Sequence, residues 1–78
     1  MTSKKEIGAA IKQKRRDKKL KQNDLAEQTE LSRNYISDIE AGRYMPSVET
    51  LTKIATCLEL DLNALLMSEI QDNVSVAD

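Results

Sequence analysis

The sequence contains almost none of the residues that bind metals, form disulfides or fill large aromatic cores. Its 78 residues include no His, Trp or Phe, two Tyr and a single cysteine, Cys57. One cysteine cannot form an internal disulfide, and without His the ligand spacing of a zinc site is missing. We expect no metal, no cofactor and no small-molecule site, and we interpret Cys57 as a small buried or half-buried apolar side chain. The chain also lacks a convincing nucleophile–base arrangement, so an enzyme is the weakest hypothesis.

Residues that break helices are also scarce, with two Gly and one Pro. The content of Ala, Leu, Lys, Glu and Gln favours helices, so we predict an all-α fold. The length allows one domain with a small core, spanning residues 1–78. No apolar run approaches the length of a membrane span and the N-terminus lacks a signal peptide, so we expect a cytoplasmic protein that uses no membrane.

Positive charge is concentrated at the start of the chain. Residues 1–21 carry nine Lys or Arg against two acids, about +7, whereas the remainder carries three against eleven, about −8. The overall charge of −1 argues against a protein that coats DNA without regard to sequence. It is compatible with a sequence-specific binder, because only the docking face must be positive. For most of the N-terminal lysines we favour the simpler interpretation of a solvated helix face.

Apolar spacing and capping residues predict five helices. They are expected from about Glu6 to Lys18, from Gln22 to Gln28, from the Ser32 cap to just before Gly42, after the Ser47 cap, and from Leu62 to about Met67. The fourth helix is expected to bury one face, made of Val48, Leu51, Ile54, Ala55 and Leu58. The polar tail over residues 69–78 is expected to be mobile.

The third helix has two unlike faces when its residues are placed at 100° intervals. One face is apolar and suits a core, with Tyr35, Ile36 and Ile39. The other face is short and polar, with Arg33, Asn34, Ser37, Asp38 and Ala41. An apolar anchor beneath an outward row of hydrogen-bonding side chains is what a helix needs in a DNA major groove. Most amphipathic helices carry a polar face, however, so this pattern alone is a weak signal.

The first helix carries residues that need partners elsewhere. Arg15 lies at the edge of the apolar stripe, where a guanidinium needs a carboxylate. Gly8 allows a neighbouring element to approach closely. Lys19 is expected just past the helix end, at a cost of about 1 kcal/mol if it takes the left-handed conformation, with Leu20 returning to the core.

The C-terminal segment is more apolar than one short helix usually buries. We slightly favour a dimer contact over complete burial in the core, because part of this surface would be exposed on a monomer. The residues assigned to the dimer interface are Leu60, Leu62, Leu65 and Leu66.

The segment over residues 11–66 resembles the lambda-repressor-like, Xre-type (Cro/cI-type) family of helix-turn-helix regulators. Within QNDLAEQTELSRNYISDIEA, residues 22–41, the family spacing is met by Gln22, Ala26, Ile36 and Ile39. The YIS-IE-G run, the Pro-Ser start of the fourth helix and the LTKIA segment follow in register. The resemblance implies a compact five-helix DNA-binding fold with its helix-turn-helix motif at residues 22–41.

The resemblance also implies roles for particular residues. Base edges and nearby phosphates would be contacted by Ser32, Arg33, Asn34, Ser37 and Asp38. The DNA backbone would be held by Lys21, Gln22, Tyr35 and Arg43. A family ion pair between the first and third helices is matched by Arg15 and Glu40.

Three residues depart from the family pattern. Lys19, Glu30 and Glu59 replace glycines that are usual after the first, second and fourth helices. Each is expected to add local strain or to alter its turn slightly, at modest cost. Asp38 places an acid on the DNA-facing surface, where it would accept from a cytosine amino group or repel phosphate and restrict the target.

The leading hypothesis is a transcription regulator that binds a palindromic operator in double-stranded DNA as a homodimer. A repressor is favoured, while phage, restriction–modification, antitoxin and host regulators all stay open. RNA polymerase and an antirepressor are further partners to consider. The alternative is a protein-interaction module that uses the same fold. The expected location is the cytoplasm of a bacterium, on operator DNA of the host or of a phage.

Overall fold

The computed structural model describes residues 3–61, which form helices around one apolar core. The four helices are α1 (Lys4–Asp17), α2 (Gln22–Thr29), α3 (Arg33–Glu40) and α4 (Val48–Leu58). Among the described residues there is no strand, and no helix is long and apolar enough to cross a membrane. The all-α prediction is therefore confirmed for this part of the chain. The predicted fifth helix and the tail lie outside the described residues, so the count of five helices stays a prediction.

Serine side chains cap three of the helix starts. Oγ of Ser32 accepts a backbone N–H of the first turn of α3 at 3.1 Å, and Oγ of Ser47 does the same for α4 at 3.1 Å. Each serine satisfies an amide group that has no partner within its helix. The caps expected at Ser32 and Ser47 are confirmed. Ser3 caps α1 in the same way, so that helix begins at Lys4, slightly earlier than expected.

Each helix ends in a turn where one residue takes the left-handed conformation. After α3 this residue is Gly42, with φ +77°, but after the other helices it is Lys19, Glu30 and Glu59, with φ of 60°, 60° and 56°. In every turn two successive N–H groups donate to carbonyls of the last helical turn. The strain predicted for Lys19, Glu30 and Glu59 is thus a backbone strain, the positive φ that each residue adopts in place of glycine.

A leucine follows each of the three strained residues and returns to the core. Leu20, Leu31 and Leu60 are half-buried against the core cluster. Their N–H groups donate back to helix carbonyls at 3.0, 2.9 and 2.8 Å. Burial of apolar area, at about 25 cal/mol per Å², offsets the left-handed penalty of about 1–2 kcal/mol at the residue before. The expectation that Leu20 returns to the core is confirmed.

Replacing Glu30 with glycine is expected to raise the free energy of unfolding by about 0.5–1 kcal/mol. Glycine removes the left-handed penalty of about 1–2 kcal/mol from the folded state. Its greater conformational freedom stabilises the unfolded chain by about 0.4–1 kcal/mol, which offsets part of this effect. Urea denaturation followed by circular dichroism measures the difference. The matched control is Glu27→Gly inside α2, which should lower stability by about 1 kcal/mol. A Glu30→Gly chain less stable than its parent would contradict the assignment of strain to this turn.

The core is filled by aliphatic side chains from all four helices. Its buried members are Ile7, Ile11, Leu25, Ala26, Ile36, Ile39, Leu51, Ile54 and Leu58. One expectation for α4 is wrong, because Val48 is 77% exposed. Val48 is the first residue of the helix and lies beyond the edge of the core. The buried face of α4 begins one turn later, at Leu51.

α1 and α3 approach each other closely at Gly8. A Cβ at this position would lie 2.3 Å from the carbonyl oxygen of Ile39 and 2.8 Å from that of Glu40. Both atoms belong to the backbone and cannot move aside as a side chain can, so only glycine fits. The expectation that Gly8 permits close approach is confirmed. This contact holds the C-terminal turn of α3 against α1 and so sets the direction in which α3 lies.

Candidate nucleic-acid interface

α3 is anchored by its apolar side and presents its polar side at the surface. Ile36 and Ile39 are 0% exposed and belong to the core cluster. Arg33 and Asn34, in the first turn, are exposed, and Ser37 is half-buried one turn later. Rotating the helix about its axis would expose both isoleucines, at a cost of about 1.5–3 kcal/mol each. The polar side chains of the first turn therefore stay at the surface.

The residues at the start of α2 and before α3 are held by local hydrogen bonds. The backbone N–H of Lys21 donates to Oδ2 of Asp24 at 2.8 Å, while the Lys21 residue is exposed. Oγ of Ser32 accepts the N–H of Tyr35, which leaves the hydroxyl hydrogen of Ser32 for a ligand. The N-terminal ends of both helices therefore have defined backbone geometry, with exposed side chains at each end.

A buried ion pair ties α1 to α3, and a glutamine joins α2 to it. Arg15 donates from Nε to Oε2 of Glu40 at 2.7 Å and from Nη2 to Oε1 at 3.1 Å. Its Nη1 donates to the Leu20 carbonyl at 2.6 Å, and Nε2 of Gln22 donates to Oε1 of Glu40 at 3.1 Å. Among the described residues no buried side-chain polar atom lacks a partner. The structure thus brings Arg15 and Glu40 together and gives Gln22 a bracing contact within the protein.

Asp38 and Arg43 form a second, more exposed ion pair, also at the C-terminal end of α3. Nη1 of Arg43 lies 2.6 Å from Oδ1 of Asp38, with the Asp38 side chain 26% and the Arg43 side chain 67% exposed. Sequence reasoning placed both residues in the interface but gave them separate roles. The structure joins them, so Asp38 is half-buried under a cation and does not face solvent alone.

An open cleft of about 440 Å³ lies between α3 and the loop that leads to α4. Tyr35 and Tyr44 meet edge to face on this side of α3, with ring centroids 6.2 Å apart. The cleft is lined by Ser32, Asn34, Tyr35, Asp38, Tyr44 and Met45. Sequence reasoning treated Tyr44 and Met45 as part of a connecting loop and missed them. The available signal was two large apolar residues between an arginine and a proline, in a loop too short to bury them.

Cys57 lines a second open cleft, between α2 and α4. Its thiol donates to Oε1 of Gln28 at 2.8 Å. Burial raises the pKa of the Cys57 thiol, and the nearby Lys18 ammonium lowers it to a smaller extent. The thiol is therefore the stable form near neutral pH. Within residues 3–61 no group of three or more His, Cys, Asp or Glu side chains could hold a metal ion.

Two short helices joined by a tight turn, the second fixed by buried isoleucines and lined outside by Arg and Asn, define a helix-turn-helix DNA-binding protein. A profile described as "Helix-turn-helix" matches residues 11–65. The chain belongs to the Xre-type (Cro/cI-type) helix-turn-helix family of transcription regulators.

Several relatives share most of this chain. The ImmF control region 10 kDa protein of Bacillus phage phi105 is 55% identical over 67 residues, which cover 86% of this chain and 74% of that protein. The immunity repressor protein of the same phage is 43% identical over 63 residues, or 81% of this chain and 44% of that protein. In the crystal structure of the clp gene regulator ClgR from Corynebacterium glutamicum, the similarity has a TM-score of 0.76 at 26% identity, covering 95% of this chain and 87% of that one. The chain thus spans less than half the length of the immunity repressor.

Of the four residues predicted to form a dimer interface, only Leu60 lies within the described residues. Leu60 is half-buried against the core of its own chain, so part of its side chain is used within the monomer. The other three lie outside the described residues: Leu62, Leu65 and Leu66.

Proposed function

We propose that the chain binds a specific sequence in double-stranded DNA and represses transcription from a palindromic operator as a homodimer. α3 enters the major groove, where Arg33 is the main base reader and bonds a guanine bidentately. Asn34 reads a neighbouring base or bonds a phosphate. Ser32 and Ser37 contribute shorter polar contacts on the same face. The protein acts in the cytoplasm on operator DNA, without a cofactor.

The observation that carries this proposal is the division of α3 into a buried and an exposed side. Both isoleucines are fully buried, whereas Arg33 and Asn34 are exposed in the first turn. The N-terminal residues of a recognition helix are those that contact base edges when the helix enters the groove. Contacts to the sugar–phosphate backbone then fix the register of the protein on DNA. They come from Lys21, Gln22, Tyr35 and Arg43.

Repression is supported by the two phage relatives, one described as a control region protein and the other as an immunity repressor. A homodimer is proposed because helix-turn-helix dimers bind palindromic sites, whose half-sites lie one helical turn of DNA, about 34 Å, apart. Occupancy of the operator, or contact with RNA polymerase, then gives the regulatory output. An antirepressor is a partner that would release the DNA.

Selection of binding sites from random duplexes tests the proposed function directly. The purified chain is expected to enrich a palindromic sequence whose half-sites are about 10 base pairs apart, centre to centre. Selection gives the operator sequence, its symmetry and its spacing in one experiment. Enrichment of no duplex sequence would contradict sequence-specific binding, and enrichment of a single half-site would contradict the homodimer.

Arg33→Ala is expected to weaken binding to the selected operator by about 1–3 kcal/mol and to relax the base preference at one position of each half-site. The reason is that a bidentate contact from arginine to guanine discriminates against the other bases. Competition gel shifts with operators altered at each position measure the loss. The control is Arg16→Ala on the exposed side of α1, which removes the same charge and should leave the base preference unchanged. An equal loss on all sequences would make Arg33 a phosphate contact.

A protein-interaction module is the second candidate, and one observation favours it. Tyr44 and Met45 are large apolar residues exposed in the cleft beside α3, and Val48 is exposed at the start of α4. Exposed apolar clusters of this kind mark surfaces that bind other proteins. This candidate predicts no preference among duplex sequences in the same selection, so one experiment separates the two functions.

A further inference from the structure

Asp38 anchors Arg43 twice, once by the main chain and once by the side chain. The backbone N–H of Arg43 donates to the Asp38 carbonyl oxygen at 3.0 Å, in the turn that ends α3. Nη1 of the same arginine donates to Oδ1 of the Asp38 carboxylate at 2.6 Å. A hydrogen bond between ionised groups is short and directional. Two anchors on one residue therefore restrict both the start and the end of a long, flexible side chain.

The exposures of the two side chains show which of them can meet a ligand. The Asp38 side chain is 26% exposed, and the Arg43 side chain is 67% exposed. A guanidinium has five N–H donors in a rigid fork, and the bond to Asp38 uses one of them. The remaining donors can bond a phosphate while Nη1 stays on the carboxylate. Asp38 therefore holds the Arg43 guanidinium in place while leaving its other N–H donors free to bond a ligand.

The pairing changes the role that the position of Asp38 on α3 suggests. A carboxylate that reads cytosine must accept from its amino group, and the bond from Arg43 to Oδ1 leaves Oδ2 of Asp38 with most of the remaining acceptor capacity. The cleft beside Asp38 is walled by Tyr44 and Met45, which places the carboxylate at the loop-facing flank of α3. Asn34 lines the same cleft but is exposed in the first turn, whereas Asp38 is half-buried one turn later. The geometry favours a contact within the protein over a contact with a base.

We propose that Asp38 is a positioning residue that holds the Arg43 guanidinium for a DNA phosphate, and that Asp38 itself reads no base. The inference rests on the proposed DNA-binding function and refines it. It predicts that removing the Asp38 carboxylate changes DNA affinity in the direction opposite to the one expected from charge alone. Removing a carboxylate from a surface that approaches a polyanion should tighten binding, because repulsion is lost. Removing a carboxylate that positions a phosphate-binding arginine should weaken it.

The test measures affinity, base preference and salt dependence for four chains: the parent, Asp38→Asn, Arg43→Gln and the double variant. Asp38→Asn keeps the shape of the side chain, and thermal melting confirms that each chain is folded. We expect Asp38→Asn to weaken binding about two- to fivefold on every sequence, the range typical of an exposed ion pair. We expect Arg43→Gln to reduce the slope of log K against log salt concentration by about 0.9, since one phosphate contact is lost. In the Arg43→Gln background, Asp38→Asn should no longer weaken binding.

The matched control is Glu27→Gln, which removes one negative charge from the exposed side of α2. It should leave binding unchanged or slightly tighter. The inference is overturned if Asp38→Asn changes the preferred base at any position, if it tightens binding as the control does, or if it costs the same in both backgrounds. A parent chain that selects no duplex would overturn the proposed function and this inference together. A selective parent with any of the other three results would overturn this inference alone.

Discussion

Glu40→Ala is expected to lower the free energy of unfolding by about 3–5 kcal/mol, the cost of removing one partner of a buried ion pair. Arg15 and Glu40 are each 8% exposed, and two N–H groups of the guanidinium hold the carboxylate at 2.7 and 3.1 Å. Alanine leaves the buried guanidinium with the Leu20 carbonyl as its remaining acceptor and deprives Gln22 of its bond. Urea denaturation of the parent and the variant measures the loss.

The exposed pair between Asp38 and Arg43 supplies the matched control. It has the same chemistry and a 2.6 Å contact, but its arginine side chain is 67% exposed. Asp38→Ala is therefore expected to cost at most about 1 kcal/mol. A double variant, Arg15→Met with Glu40→Leu, removes both buried charges and should recover most of the loss. A Glu40→Ala chain with the urea midpoint of its parent would contradict a stabilising role for the buried pair.

The helix ends show how far local chemistry alone predicted the fold. Ser32 and Ser47 were recognisable as caps because a hydroxyl followed by a helical pattern has few other uses. A left-handed conformation was considered for Lys19, while Glu30 and Glu59, which also replace family glycines, were expected only to add strain or to alter their turns. Both signals act within a few residues of the chain. The caps at Ser32 and Ser47 were confirmed, whereas the cap at Ser3, which starts α1 at Lys4, was not predicted.

Contacts that join separate elements were harder to predict, and α3 shows why. Its buried side follows from helical periodicity, so the placement of Ile36 and Ile39 was predicted correctly. The ion pair between α3 and the next loop does not follow from periodicity. Asp38 and Arg43 come together because the turn at Gly42 sets the direction of the chain. The same turn leaves Tyr44 beside α3, where no periodic pattern reports it. Val48 was misplaced for a related reason, since periodicity gives the face of α4 but not the edge of the core.

The close contact of α1 with α3 links the fold to the proposed function. Arg15 could be seen to need a carboxylate, and the family resemblance pointed to Glu40. The geometry adds that Gly8, two turns earlier on α1, approaches the backbone beside that same glutamate. The ion pair and the glycine contact are therefore two parts of one helix–helix junction. Because this junction sets the direction of α3, loss of either part should move the residues that we propose face DNA.

Gly8→Ala is expected to lower the free energy of unfolding by about 3 kcal/mol, at the upper end of the cost of overpacking. The added Cβ would lie 2.3 Å from the Ile39 carbonyl oxygen and 2.8 Å from that of Glu40, so α1 must move away from α3. Helix propensity alone predicts the opposite sign, a gain of about 1 kcal/mol. Thermal and urea denaturation of the variant and its parent decide between the two.

The control for Gly8→Ala is the reverse exchange at the exposed neighbour, Ala9→Gly, where propensity acts without a packing contact. It should cost about 1 kcal/mol. At Ala9 only helix propensity predicts a change in stability, whereas at Gly8 propensity and packing predict changes of opposite sign. A Gly8→Ala chain that melts above its parent would mean that α1 and α3 separate without loss. The Arg15–Glu40 pair joins the same two helices through hydrogen bonds of 2.7 and 3.1 Å. Separation of α1 from α3 would lengthen these bonds and weaken them, so it is expected to lower stability.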